Sequence, residues 1–156
     1  MSETAASQPI FNIEKLYVKD LSLEIPHAPE IFLESEQPQI ELQLHTEPVR
    51  IDNGVYEVTV TATATARLVQ KDKVMFLIEA KQAGIFQLHN LPQEELDTML
   101  GVVCPNIVFP YLRETMSDVS VRAGFAPVLL TPVNFEALYL QQKQQQQAGA
   151  APTVTH

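Results

Sequence analysis

A single cysteine, Cys104, stands beside Pro105. At a helix start the backbone dipole lowers a thiol pKa, so this is the residue best placed to act as a nucleophile. The competing reading is a small buried side chain at a bend, since free cysteine packs as core. His27, His45, His89 and His156 share no metal-ligand spacing, and neither Cys-x-x-Cys nor His-Glu-x-x-His occurs. The chain has five glycines and no glycine-rich phosphate loop or Gly-x-Ser-x-Gly elbow. Glu94 and Glu95 are paired carboxylates, but on a helix they point to different sides and read as a charged first turn. No metal or cofactor is expected, and no enzyme activity.

Two patterns suit recognition better than catalysis. Asp20, Ser22 and Glu24 share one strand face, and Leu77 and Glu79 share a face of another strand. If those strands are neighbours, one exposed leucine sits among three carboxylates. Such a patch fits a short basic peptide with an apolar anchor. A solvated sheet face is the plainer alternative. The second pattern is apolar. Ile31, Phe32 and Leu33 follow a proline-rich loop, and Phe125, Val128, Leu129, Leu130 and Val133 surround Pro127 and Pro132. These residues either cap a core or line a groove for extended polypeptide.

The elements that hold these residues read as β first and helix second. Leu16 and Val18 have one parity, and Leu21, Leu23 and Ile25 the other, which predicts a bulge near Lys19–Asp20. Pro26-His27-Ala28-Pro29 predicts a strand stop and an extended loop. Ile40, Leu42 and Leu44 alternate with polar residues, as in a half-buried strand. Asp52-Asn53-Gly54 reads as a turn. Val58, Val60, Ala62, Ala64 and Ala66 then alternate with Glu57, Thr59, Thr61, Thr63 and Thr65. Gln70 to Lys73 closes a hairpin into a fourth strand. One face of that strand carries Val74, Phe76, Ile78 and Ala80, and the other Met75, Leu77, Glu79 and Lys81. Four antiparallel strands with one polar face need a helical layer on the other. The spacing predicts a short helix over 93–100 ended by Gly101, and a longer one from about Asn106 to Ala123 capped by Gly124. A last helix is N-capped by Asn134. The expected fold class is α+β, a four-stranded antiparallel sheet with helices on one face.

With 156 residues the chain is long enough for one domain, and its formal charge is −9. That charge repels nucleic acid and anionic lipid and attracts a basic partner. One cysteine leaves no internal disulfide, which suits a reducing compartment. Met1 to Pro9 lacks the basic and apolar regions of a signal peptide, and no apolar run reaches a membrane span. Cytoplasm is the expected location. Residues 1–8 and 143–156 read as disordered tails around a domain over 9–142, because the glutamine run and the Ala, Gly, Pro and Thr after it are poor in apolar side chains.

The stretch Gly101-Val102-Val103-Cys104-Pro105-Asn106-Ile107-Val108-Phe109-Pro110-Tyr111-Leu112-Arg113-Glu114 closely resembles the signature of the SecB family of bacterial export chaperones. So does Pro127-Val128-Leu129-Leu130-Thr131-Pro132-Val133-Asn134-Phe135-Glu136-Ala137-Leu138-Tyr139. Tyr17 to Pro26 and Gly84-Ile85-Phe86 add further matches, so the resemblance runs from about Phe11 to Gln142; the tails and the hairpin tip near Lys71–Lys73 look unconstrained. The resemblance implies a homotetramer, a dimer of dimers, that holds unfolded precursor proteins translocation-competent without ATP. It also implies delivery to the motor ATPase SecA, whose basic, zinc-bearing C-terminal tail binds the acidic sheet face. Carried over position by position, Asp20, Glu24, Leu77 and Glu79 form that docking patch. The implied client groove takes Phe32, Ile40, Leu42, Leu44, Phe135, Leu138 and Tyr139. Two other readings stand beside this one: an enzyme using Cys104, and a SecB-like chaperone for a non-export client such as an antitoxin.

Overall fold

The computed structural model describes residues 8–149. Its frame is one antiparallel sheet of β1 (Ile10–Glu24), β2 (Gln39–Asp52), β3 (Val55–Leu68) and β4 (Lys73–His89), in the order β1-β4-β3-β2. The clean alternation in β3 places Val58, Val60, Ala62, Ala64 and Ala66 on a buried face. Phe76, Ile78 and Ala80 of β4 pair beside Ala66, Ala64 and Ala62 and complete that face.

The parity switch in β1 is a register shift between Val18 and Asp20, where the bulge was expected. A second shift lies between Ile13 and Lys15. Together they keep Phe11, Ile13, Leu16, Val18, Leu21 and Leu23 on the helix side, opposite Leu88, Phe86, Gly84, Gln82, Ala80 and Ile78. The segment after β1 differs from the expected extended loop. Ala28 N–H donates to Ile25 O and Ile31 N–H to His27 O, closing a tight turn that leads into a 3-10 turn at Glu30–Leu33. Ile31 anchors it in the core. The β2–β3 turn needs a glycine: Gly54 has φ +71°, and a Cβ there would lie 2.1 Å from the His89 ring.

The helical layer begins with α1 (Gln93–Thr98) and continues without a break through a π turn, Met99–Val103, into α2 (Cys104–Arg122). Gly101 therefore does not end a helix. Pro105 lacks the N–H that would bond Gly101 O, and its ring crowds that carbonyl. The backbone widens instead, and Cys104 N–H donates to Met99 O. α2 starts earlier than expected for the same reason, with Pro105 in its first turn. Val108, Leu112 and Met116 are fully buried against β3 and β4. Each large apolar side chain so buried contributes about 1.5–3 kcal/mol, and the alanines of β3 let the helix come close. Thr115 donates to Gln82 Oε1 at 3.0 Å, giving the buried amide of the sheet face a partner.

Gly124 (φ +95°) ends α2 as expected, with Phe125 N–H returning to Ser120 O. The next loop folds back along the helix. Val128 N–H donates to Ser120 Oγ at 2.8 Å, and Val128 and Leu130 are buried. Asn134 Oδ1 accepts from Ala137 N–H at 3.0 Å, the expected cap of α3 (Phe135–Gly149). That helix runs through the glutamine run past the boundary placed at residue 142. Glutamine is a good helix former even where it builds no core. The rest of the expected tails, residues 1–7 and 150–156, lies outside the described residues. No helix among the described residues is long and apolar enough to cross a membrane.

Candidate polypeptide-binding surfaces

The strands that carry the acidic residues are neighbours. Glu24 pairs with Leu77, Ser22 with Glu79 and Asp20 with Lys81, so all six lie on the sheet face away from the helices. Across β4 the same rows continue with Thr65, Thr63 and Thr61 of β3. Asp20 and Glu24 are exposed, while Leu77 and Glu79 are half-buried. Thr63 donates to the Glu79 carboxylate at 3.3 Å, and Lys81 follows Glu79 on the same face. The sequence pairing of Asp20, Glu24, Leu77 and Glu79 is thus a real juxtaposition: an apolar side chain flanked by carboxylates on a rigid sheet.

A second polar group lies on the same face, beyond the bulge. Tyr17 donates to Glu57 Oε2, and Lys19 Nζ lies 2.7 Å from Glu57 Oε1. Burial pushes the Tyr17 hydroxyl up to about 12, and the Glu57 charge beside it adds to the rise. For Glu57, burial works upward too, but hydrogen bonds from Lys19 and Tyr17 and the ammonium charge of Lys19 outweigh it and hold the carboxyl below its ordinary value. This group ties β1 to β3 across β4 and bounds the acidic patch with a cation.

The helix side offers an apolar groove. Edge strand β2 presents Ile40, Leu42 and Leu44 on the same face as Ala66, Ala64 and Ala62. Ile40 and Leu42 are 42% and 46% exposed, because α2 reaches over β3 and β4 and stops short of β2. The facing wall is the loop after α2. At one end a cleft of about 360 Å³ lies between Phe32, Ile40, Met75, Phe76, Phe125 and Pro127. Its aromatic rings are packed on one another: Phe32 stacks on Phe125 at 5.2 Å, and Phe76 lies 4.6 Å from Phe125. At the other end Leu42 and Leu44 face Phe109, Leu130 and Val133 around a smaller cleft of about 110 Å³.

Phe32 and Ile40 thus line the first cleft and Leu42 and Leu44 the second, both along β2, and three expected groove residues join neither. Phe135 is buried, edge-on to Phe109 at 5.6 Å, so it holds the start of α3 to the core and offers a client no surface. Tyr139 packs on the π turn, where a Cβ on Gly101 would come within 2.5 Å of its ring. Leu138 is exposed on α3 but lines neither cleft. The alternation of β4 puts Met75 on the polar face, but it is buried at the aromatic cleft. The register shift between Ala66 and Arg67 leaves it without a partner on β3 and turns it inward. That shift had no mark in the alternation of β3, so the sequence carried no signal for it.

Cys104 is fully buried, and burial pushes its thiol up to about 12, the reverse of an activated nucleophile. Among the described residues no group of His, Cys, Asp and Glu is arranged to hold a metal ion.

Residues 4–146 match the family described as preprotein translocase subunit SecB. The chain is 65% identical over 145 residues to the protein-export protein SecB of Nitrosomonas eutropha, covering 93% of this chain and 90% of that protein. It is 59% identical to the protein of the same name from Chromobacterium violaceum, covering 97% and 100%. The Neisseria meningitidis protein-export protein SecB is 55% identical, covering 92% and 97%. Among solved structures, a Mycobacterium tuberculosis SecB-like chaperone in complex with a peptide from the HigA1 antitoxin shares the fold, with a TM-score of 0.64 at 16% identity, covering 79% of this chain and 90% of that one. A family match over residues 4–146 and identities of 55–65% across more than nine-tenths of the sequence show that the chain belongs to the SecB family.

Proposed function

We propose that this protein is an export chaperone with two binding surfaces on opposite sides of one sheet: the apolar groove takes an unfolded precursor, and the acidic patch docks the SecA motor. The observation that carries the proposal is this opposition. A client lying along β2 and the loop after α2 leaves Asp20, Glu24, Leu77 and Glu79 free on the far face. Holding and delivery can then occur together.

The groove explains holding without ATP. An extended client segment loses about 1–2 kcal/mol of entropy for each residue fixed, while apolar burial returns only ~25 cal/mol per Å². One groove grips a few side chains, so a long client must wrap several grooves. That calls for an oligomer. Phe11, Ile13, Val18, Leu21 and Leu23 form an exposed apolar strip on edge strand β1, next to Val119 of α2. Such a strip on an open edge invites a second copy of the chain. We assign it to the contact that builds the homotetramer, which raises the effective concentration of grooves around one client.

The acidic patch suits a basic tail. Its carboxylates steer lysine and arginine, and Leu77 supplies the desolvated centre. The reading places the protein in the cytoplasm, where precursors emerge, and assigns it no reaction. A non-export client is not favoured, because the relatives at 55–65% identity carry the export name. The antitoxin-peptide complex shares the fold alone.

Titration of the protein into a refolding, signal-bearing precursor tests the holding function. Near-stoichiometric chaperone should delay refolding severalfold. An unchanged refolding rate would remove the holding function.

A further inference from the structure

The β3–β4 hairpin tip reads as unconstrained in the sequence, yet in the fold it is braced and reaches across to the groove. Asp72, at φ +48°, donates its N–H to Val69 O, and Arg67 Nη1 lies 3.1 Å from Asp72 Oδ1. From this rigid turn two contacts cross to the segment 34–37. Lys71 Nζ pairs with the Glu34 carboxylate, and Gln70 N–H donates to Glu36 Oε1 at 3.2 Å. That segment is irregular, and with Phe32 and Ile40 it forms one wall of the aromatic cleft. Among the described residues, the backbone of 35–38 makes no turn or cap hydrogen bond of its own. The wall is held at its two ends by the 3-10 turn and β2, and between them by the hairpin tip.

We propose that the hairpin tip is a latch on the aromatic cleft, and that Lys71 is a positioning residue that sets how firmly the cleft grips a client's aromatic side chain. The inference rests on the groove being the client site. Two features make the latch releasable. Half of the Lys71 side chain is exposed, so salt and charge reversal reach the ion pair. Glu36 Oε2 is buried with no hydrogen-bond partner among the described residues. That oxygen gains contact with water when the wall swings out, which offsets part of what the latch contacts contribute.

The test uses the full chain, hydrogen exchange, and two labelled unfolded peptides that differ only by Phe or Ala at one position. With Lys71→Glu, the Gln70 amide, which the latch holds on Glu36 Oε1, should exchange roughly tenfold faster in the free protein, and the Phe peptide should dissociate about 3–10-fold faster while the Ala peptide changes less than about twofold. Adding Glu34→Lys should restore both. Wild-type exchange and dissociation in Lys71→Glu, or a double variant that restores neither, would overturn the latch. Phe32→Asp separates this from the groove reading. If Phe32→Asp frees the Phe peptide and Lys71→Glu does not, the latch alone fails. If Phe32→Asp changes nothing, the groove itself is refuted.

Discussion

Replacing Glu79 tests the proposed docking patch directly. Its carboxylate sits between Ser22 and Thr63, half-buried, hydrogen-bonded by Thr63 and in no ion pair among the described residues. It is thus a charge held in place and unspent. A carboxylate–ammonium contact at such a surface contributes at most ~1 kcal/mol. Glu79→Gln keeps the shape and the Thr63 contact and removes the charge, so binding of a basic, zinc-bearing tail peptide should weaken about 5-fold. Glu79→Lys turns the same attraction into repulsion of similar size, ~2 kcal/mol in all, or about 30-fold. Both losses should shrink as salt rises from about 0.05 to 0.5 M, because the Debye length falls well below 10 Å. Fluorescence anisotropy of the labelled tail gives the affinity, and the same instrument gives the affinity for an unfolded client. The client value should move less than about twofold, since its groove lies on the other side of the sheet. Equal loss of tail and client binding would refute the two-surface reasoning, and so would a Glu79→Lys protein that binds the tail as the wild type does.

Leu23→Asp puts a charge into the apolar strip of β1, and light scattering should show the assembly falling to a smaller species; an unchanged mass would move the contact elsewhere. Cys104 should stay unreactive towards a thiol reagent until the chain unfolds, and Cys104→Ser should hold clients as before, whereas loss of a measurable turnover would revive the enzyme reading. Tyr17 ionises near pH ~10 when unfolded but keeps its proton to about 12 in the fold. The stability it contributes is complete below pH ~10 and fades above it; melting temperature against pH should show that fall in the wild type and not in Tyr17→Phe. The Glu57 contribution has the opposite sense, present above its unfolded value and lost as pH falls through its lowered folded one. Gly101→Val should push Tyr139 off the π turn at a cost of about 1–3 kcal/mol, and limited proteolysis should then cut α3 sooner.

Local signals were the legible part of the sequence. The parity change in β1 marks a bulge because side chains alternate strictly along a strand. Gly124 and Asn134 mark helix ends because each does a job that few residues can. The acidic residues could be sorted onto faces, but alternation does not say which strands touch. Only the order β1-β4-β3-β2 brings Glu24 to Leu77. Gly101 misled because a glycine stop and a glycine that admits a neighbouring ring look alike in one dimension; Tyr139 lies far along the chain. Phe135 and Leu138 sit one helical turn apart, yet one is core and the other exposed. The difference comes from the return of the Pro127–Pro132 loop over α2, which periodicity within α3 does not encode.

The single sheet also explains why the two surfaces need not compete. Its buried face is built from alanines and valines of β3 and aromatics of β4, with α2 clamped on top. On the proposed reading, a client settling against Ile40, Leu42 and Leu44 loads the edge strand, which that clamp stops short of. The patch around Glu79 stands on β1 and β4, where paired strands run for their full length and the Tyr17–Lys19–Glu57 group ties them to β3. Adaptable packing at one edge and a stiff charged plane behind it are what holding and handing over require. On the proposed reading the client is gripped in many sequences, whereas the motor is recognised in one geometry.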